Sequence, residues 1–549
     1  MSNENLPDVT KQIVQQQIRN KLGCLVLFVA FVVLAVLFWF WCIYTPPLRF
    51  SVNTTYVISP TTADGKWINY FKALEESCYP PEMQTDDNGY RVFVRDCGFI
   101  LNAAYNTEPV RLQVYEKLGI DPNVAPTLKF ESSYTFFERL ANESGDENKR
   151  QQVMKRRYEL LRKPMFTTDD SPEFKTWLDE NNAGLDLLGK AVRKPTFQMP
   201  YTVNTETHNT FSDIMLIYRD MAVATQERAK FRIGIGDVDG AIYDIITIHR
   251  LARFVSQNRI IMGNSLAGLA INGVANAIGF NANREHPATK EQIEHYLKEL
   301  DALPPMPTFE QAVSGERLLA LLCLQEVYAG DKVSKEILGS SVLTEHFANS
   351  LFYRFSDPNE SFILFNKWYD MANDGDVRTN AESDVMFNFS KNPLSYILAR
   401  SRSVNCSKIL ASRLISGFVY KPNAFERDEC SANIKRLTLA LLLYEKTNGK
   451  LPDGDWQTAV KPYLGDEPDK YFSCPHNNDY IYAMVKDGND LLLVEVSKSQ
   501  INASDMTVPN EKNSFGFPHF PVVSNAGYRS GSVKIISSTQ TVWDTEDGM

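Results

Sequence analysis

The chain has no surplus of cations. Lys and Arg number 57 against 67 Asp and Glu, for a net charge of −10 and a pI near 5.4. That balance excludes a nucleic-acid binder held by clustered phosphate-neutralising side chains. Cysteine is sparse, 8 in 549 residues, which excludes a disulfide-stapled miniprotein. Glycine and proline, 28 and 27, are too few for a collagen-like or low-complexity chain. No pair among the seven histidines has the H-E-x-x-H spacing that sets two imidazoles on one helix face, and no G-x-S-x-G elbow is present. What remains is an ordinary acidic composition, 44% hydrophobic and 23% charged, in a chain too long for one core.

One segment breaks the average. Leu22 to Tyr44 carries no charge and ends in Phe38-Trp39-Phe40-Trp41, followed by Pro46-Pro47. Its 23 residues make a helix of about 34 Å, enough for a hydrocarbon core of about 30 Å, with aromatics at the interfacial end. A cleaved signal peptide would show a shorter apolar region and an A-x-A-like site. The reading is a retained membrane anchor. Lys11, Arg19 and Lys21 precede the span and Arg49 alone follows closely, so the positive-inside bias puts residues 1–21 in the cytoplasm. No later run repeats the pattern. The expectation is a single-pass protein of the cell (inner) membrane, with the bulk of its chain extracytoplasmic.

Six cysteines follow the span: Cys78, Cys97, Cys323, Cys406, Cys430 and Cys474. An even number in an oxidising compartment permits pairing without assigning it. Cys78 with Cys97 and Cys430 with Cys474 are the favoured pairs, and Cys323, in the apolar run Leu318 to Leu324, reads as a buried thiol.

The organisation reads as a cytoplasmic tail (1–21), a transmembrane helix (22–45), a mixed region (46–130), an α-helical body (131–425) and an α+β C-terminal head (426–549). In the mixed region a helix is expected over Gly65 to Glu76, and Thr85-Asp86-Asp87-Asn88-Gly89 marks a turn. In the body, Ser212 to Arg232, the turn Gly234-Ile235-Gly236-Asp237 and Asp239 to Val255 predict a helical hairpin with Asp237 as N-cap. A small, apolar helix follows over Gly263 to Phe280. His249 falls on the apolar face of the second hairpin helix, as a core histidine would. Cys430 to Thr447 predicts a helix ended by Asn448-Gly449. Tyr480 to Lys486 and Leu491 to Val496 predict a β-hairpin, with a further strand pair at Ala526 to Arg529 and Ser532 to Ile536.

Two ligand motifs fail on inspection. In Gly234-Ile235-Gly236-Asp237-Val238-Asp239-Gly240 the third glycine comes one position late for a dinucleotide fingerprint and a helix precedes it where a strand is required. Asp237-Val238-Asp239 begins like a calcium loop, but Ala241 occupies a ligand position. No cofactor and no metal is implied.

The segments Cys430-Ser-Ala-Asn433-Ile-Lys435, Gly449-Lys-Leu-Pro452 and Phe472-Ser-Cys474-Pro475 resemble the heads of pseudopilin-like proteins of planctomycete-type bacteria. Glu495, His519, Asn525 and Gly531 resemble the C-terminal H-X9-DG pattern of that group, with Ser530 in place of its Asp and a longer spacing from the His. Thr54 to Pro60, Asp64 to Leu74, Gly236 to Arg253 and Asn366-Lys-Trp368-Tyr369-Asp370 are similar to membrane-anchored envelope proteins of the same genomes. The resemblance implies a mainly α protein with a pseudopilin-like α+β head and a single N-terminal transmembrane helix. The resemblance implies an envelope protein of uncharacterised activity, and the leading reading is a structural or protein-interaction component with a protein partner in the envelope. The head sits far from the span and no pilin processing site is present, which points away from a filament subunit. The competing reading is an extracytoplasmic hydrolase acting on envelope material. That reading requires a histidine within reach of both a carboxylate and a Ser or Cys in an open pocket.

Overall fold

A computed structural model describes residues 8–43, 46–70, 72–73, 76, 81–99, 108–143, 147–200, 210–257, 262–280, 283, 285–329, 357–373, 422–452, 455–473, 480–487, 490–497, 533–536 and 540–543. The described residues are mainly helical, and the chain divides into two compact units. Unit 1 comprises Met1–Ala73 with Arg317–Val419, and unit 2 comprises Leu74–Glu316 with Tyr420–Met549.

Unit 1 begins with α1, Asp8–Ile43. Its stretch Gln12–Phe38 has no buried side chain and contains an 18-residue window of mean hydropathy 2.8, so the helix is long and apolar enough to cross a membrane. The helix starts well before the uncharged run, so the polar residues from Asp8 to Lys21 continue it without a break.

The helix expected from Gly65 is absent at its start. Gly65 has φ +67, Asp64 accepts hydrogen bonds from the Thr62 hydroxyl and the Lys66 N–H, and Thr61 bridges Ile68 in antiparallel fashion. An aspartate side chain that captures the next turn's N–H competes with helix formation, and the left-handed glycine completes the reversal. Helical backbone begins only at Tyr70.

Unit 2 carries α2 (Gly89–Cys97), α3 (Glu108–Leu118), α4 (Ser133–Glu143), α5 (Glu147–Arg162), α6 (Pro172–Ala191), α7 (Thr210–Gly234), α8 (Val238–Gln257), α9 (Met262–Ala277) and α10 (Lys290–Asp301). Helix α11 (Phe309–Ala329) runs across the boundary between the two units, and α12 (Pro358–Asn373) belongs to unit 1. Unit 2 resumes with α13 (Pro422–Asn448) and α14 (Trp456–Val460). The turn cluster ending at Asn88 doubles as a helix start, because the Asn88 side chain accepts from the Tyr90 N–H.

The α7–α8 hairpin is as the glycines predict. Asp237 N–H donates to the Arg232 carbonyl and Gly236 N–H to that of Ile233, the paired bonds of a Schellman ending, with Gly236 at φ +81. Asp237 then caps α8, its carboxylate accepting from the Gly240 N–H at 3.0 Å. A Cβ at Gly236 would meet the His286 ring at 2.7 Å. Gly236→Ala is therefore expected to lower stability by about 1–2 kcal/mol from backbone strain alone, read as a lower denaturation midpoint. An unchanged midpoint would refute the assignment.

The main core of unit 2 is built by Ile242, Ile245, Ile246, Leu251 and Val255 of α8 against α7, α9 and α10. Helix α13 is buried on two sides. Leu439, Leu442 and Leu443 enter that main core, while Ile434, Leu437 and Leu441 pack against Trp456, Val460, Tyr471 and Phe472. It ends where expected: Gly449, at φ +75, donates its N–H to the Glu445 carbonyl at 2.7 Å.

Four strands are described beyond it. β1 (Tyr480–Asp487) pairs antiparallel with β2 (Asp490–Ser497), Asp487 facing Asp490 as the hairpin reading requires. β3 (Val533–Ile536) pairs with β2 and with β4 (Gln540–Trp543). The partner expected for β3, Ala526 to Arg529, lies outside the described residues.

Candidate functional site

A concentration of buried polar chemistry lies where α13 meets α8, α9 and α10. The His249 Nδ1 is 2.7 Å from Asn272 Oδ1, and Asn272 Nδ2 donates to Asp428 Oδ1 at 2.8 Å. Because the amide nitrogen serves Asp428, the amide oxygen is the acceptor. It takes the His249 Nδ1–H and an Arg253 N–H at 2.9 Å. That fixes the neutral tautomer, leaving Nε2 to accept from the Tyr296 hydroxyl at 3.5 Å. Arg253 also donates to the carbonyls of His249 and Pro304.

Below this chain sits Lys435, fully enclosed, donating from Nζ to the carbonyls of Asn276 (3.3 Å) and Ile278 (2.9 Å). These oxygens belong to the C-terminal end of α9, where the helix dipole favours a cation. The ammonium also lies 5.5 and 5.6 Å from the ring centroids of Phe280 and Tyr296.

Burial dominates the electrostatics of this cluster. It pushes the Asp428 carboxyl up to about 6, against the hydrogen bond from Asn272 and the attraction of Arg253. It brings the Lys435 ammonium down to about 7. His249 falls well below its ordinary value through burial and then through Arg253, so it is neutral. Chemically the cluster is a closed relay of donors and acceptors that joins four helices. His249 reaches an amide and a phenol there, not a carboxylate and a Ser or Cys, so the geometry that the hydrolase reading needs is not made at this histidine.

A second network crosses the α7–α8 hairpin. Arg228, 1% exposed, clasps Asp244 with two parallel bonds of 3.0 and 2.7 Å and reaches Asp186 at 2.7 Å. Arg232 adds a third donor to Asp244 at 3.0 Å. A third buried pair, Arg157 with Glu227, shares the Ser133 hydroxyl. In unit 1, Arg317 lies over the rings of Tyr56 (4.6 Å) and Tyr369 (5.5 Å) and pairs with Asp370. Among the described residues no group of three or more His, Cys, Asp or Glu side chains could hold a metal ion.

Cys24, Cys97 and Cys430 are thiols, and no disulfide is formed among the described residues. For the expected pair of Cys78 with Cys97 this is a correction. Cys97 ends α2 half-buried, and burial with the nearby Asp96 carboxylate pushes its thiol up to about 12, which disfavours the thiolate that disulfide exchange requires. Cys430 is likewise a thiol, with its side chain in the apolar packing of α13 against Trp456 and Phe472. Cys78 and Cys474 lie outside the described residues, as do His519, Asn525 and Gly531. Glu495 stands on β2 opposite Tyr482. Cys97 is expected to be slow toward a thiol reagent in the folded protein and fully reactive once denatured without reductant. A Cys97 that stays blocked after unreduced denaturation would restore the disulfide.

Lys435, Asn272 and Asp428 were not legible as a cluster. A faint signal existed: Asn272 and Asn276 stand one turn apart in a helix of mostly apolar residues, and Lys435 follows directly on Ile434 in the apolar part of α13. No family model, no curated protein and no solved structure matches the chain.

Proposed function

We propose that the chain is a single-pass membrane-anchored protein of the cell envelope that acts as a structural or protein-interaction component. Residues 1–21 are cytoplasmic in this reading, and the helical units are extracytoplasmic. The C-terminal part, from α13 through the paired strands, serves as a pseudopilin-like α+β head that contacts a protein partner. The observation that carries the proposal is α1: a window of 18 residues with mean hydropathy 2.8 and every side chain outside any core, while most large apolar side chains of the other described helices are buried. The buried charges of unit 2 support it as well, since those described above hold one helix to another.

The test is crosslinking in the native membrane followed by identification of what is joined to the chain. A discrete protein adduct is expected. Recovery of no adduct, together with turnover of a cell-wall fragment by the purified protein, would overturn the proposal in favour of the hydrolase.

A further inference from the structure

We infer that unit 1 is seated on the lipid surface through an apolar patch centred on Val52 and Ile363, so that the segment leaving α1 is a mount and not a flexible tether. This rests on reading α1 as a membrane span.

Pro47 is four residues beyond Ile43, the end of α1, so it lies within about 14 Å of that end. Its carbonyl accepts from Asn359 Nδ2 at 3.0 Å, and the Arg49 N–H donates to Asn359 Oδ1 at 2.7 Å. The N-terminus of α12 is therefore pinned beside the exit of the anchor. Each headgroup layer adds about 5–8 Å beyond the hydrocarbon core, so this attachment lies in or just above it.

From there the contacts run in register. Asn359, Ile363, Asn366 and Asp370 form one stripe of α12 at i, i+4, i+7 and i+11. Asn366 Nδ2 donates to the Thr54 carbonyl at 2.6 Å, and Asp370 holds Arg317, which covers Tyr56. Partners that advance from Pro47 to Tyr56 as the stripe advances from Asn359 to Asp370 put Ile363 opposite the residues around Val52. The segment is fixed further on, where Gln325 donates to the Ile68 carbonyl and accepts its N–H. Tyr56, at φ +63, keeps a left-handed backbone that only such surrounding contacts sustain.

Exposure supplies the second, independent observation. Outside α1, the large apolar side chains left exposed among the described residues of unit 1 are Val52 (65%), Ile58 (60%) and Ile363 (45%). All three lie on, or face, this one segment. A soluble surface scatters such residues, whereas a cluster next to a membrane exit fits the apolar side of a headgroup layer. Arg49, exposed three residues before Val52 and hydrogen-bonded through its N–H to Asn359, supplies a cation for the headgroup phosphates.

The test places a photoreactive benzoylphenylalanine, one site at a time, in the full-length protein in phospholipid vesicles. The substitutions are Val33→benzoylphenylalanine in the span, Val52→benzoylphenylalanine and Ile363→benzoylphenylalanine in the patch, and Tyr158→benzoylphenylalanine in unit 2 as the reference for chance collision. Lipid adducts at 33, 52 and 363, well above the yield at 158, are expected. An adduct at 33 with none above the reference at 52 and 363, or adducts there to protein in place of lipid, would overturn the seating while leaving the anchor intact. No adduct at 33 would overturn both.

Discussion

Asp244→Ala is expected to lower the unfolding free energy by about 3–5 kcal/mol, the range for removing one partner of a buried ion pair. Asp244 is fully enclosed and accepts from Arg228 and Arg232. Without it the Arg228 guanidinium, 1% exposed, keeps only Asp186 and Asn182, and a buried cation is left under-compensated. Replacing both members, Arg228→Met with Asp244→Leu, removes the uncompensated charge and leaves apolar volume. The double variant is expected to be more stable than Asp244→Ala by about 2 kcal/mol or more. Urea denaturation of the two variants decides the matter. A double variant no better than the single would mean that the network is not an isolated charge pair, and that Arg232 and Asp186 carry much of its energy.

Lys435→Met should act through a different window. Removing the ammonium leaves two buried carbonyls at the end of α9 without their donor, a loss of about 2–3 kcal/mol at neutral pH. The wild-type protein carries a cost of its own there. The folded-state value of Lys435 is depressed from 10.5 to about 7, so the unfolded chain holds a proton that the folded one lacks between those limits. Stability therefore rises with pH from about 7 to 10.5 and is lost as pH falls back through 7, by at most about 1.4 kcal/mol per pH unit. Asp428 has the opposite sign. Its folded-state value is raised from 3.8 to about 6, so its contribution is present below 3.8 and lost as pH rises through 6. Stability measured against pH should lose its upper slope in Lys435→Met and its lower slope in Asp428→Asn. If both slopes persist in both variants, the titrating groups lie elsewhere.

These two sites mark the limit of what the sequence discloses. The α7–α8 hairpin was legible because Gly236 and Asp237 each have one local duty, a left-handed turn and a cap, and local duties leave local signatures. The anchor was legible because a bilayer demands uninterrupted hydropathy. Arg228 and Asp244 were not, because a charge on a helix reads as a solvated face until the partner 16 residues away is known to pack over it. Helix α13 shows the same limit in apolar form. One stripe, Ile434, Leu437 and Leu441, followed from its period, while Leu439, Leu442 and Leu443 serve a second core that only the tertiary arrangement creates. The helix expected over Gly65 to Glu76 is placed too early, because periodicity does not register an aspartate side chain that competes for the backbone.

Anchoring by α1 underlies both the proposed function and the seating of unit 1. The direct measurement is alkaline extraction of native membranes followed by protease added from the extracytoplasmic side, with antibodies to residues 1–21 and to the C-terminal part. The prediction is that the full-length chain stays with the membrane, that the C-terminal epitope is digested, and that a fragment bearing residues 1–21 and the span is protected. A chain released by alkali, or one found already cleaved after the apolar run with its C-terminal part soluble, would contradict it.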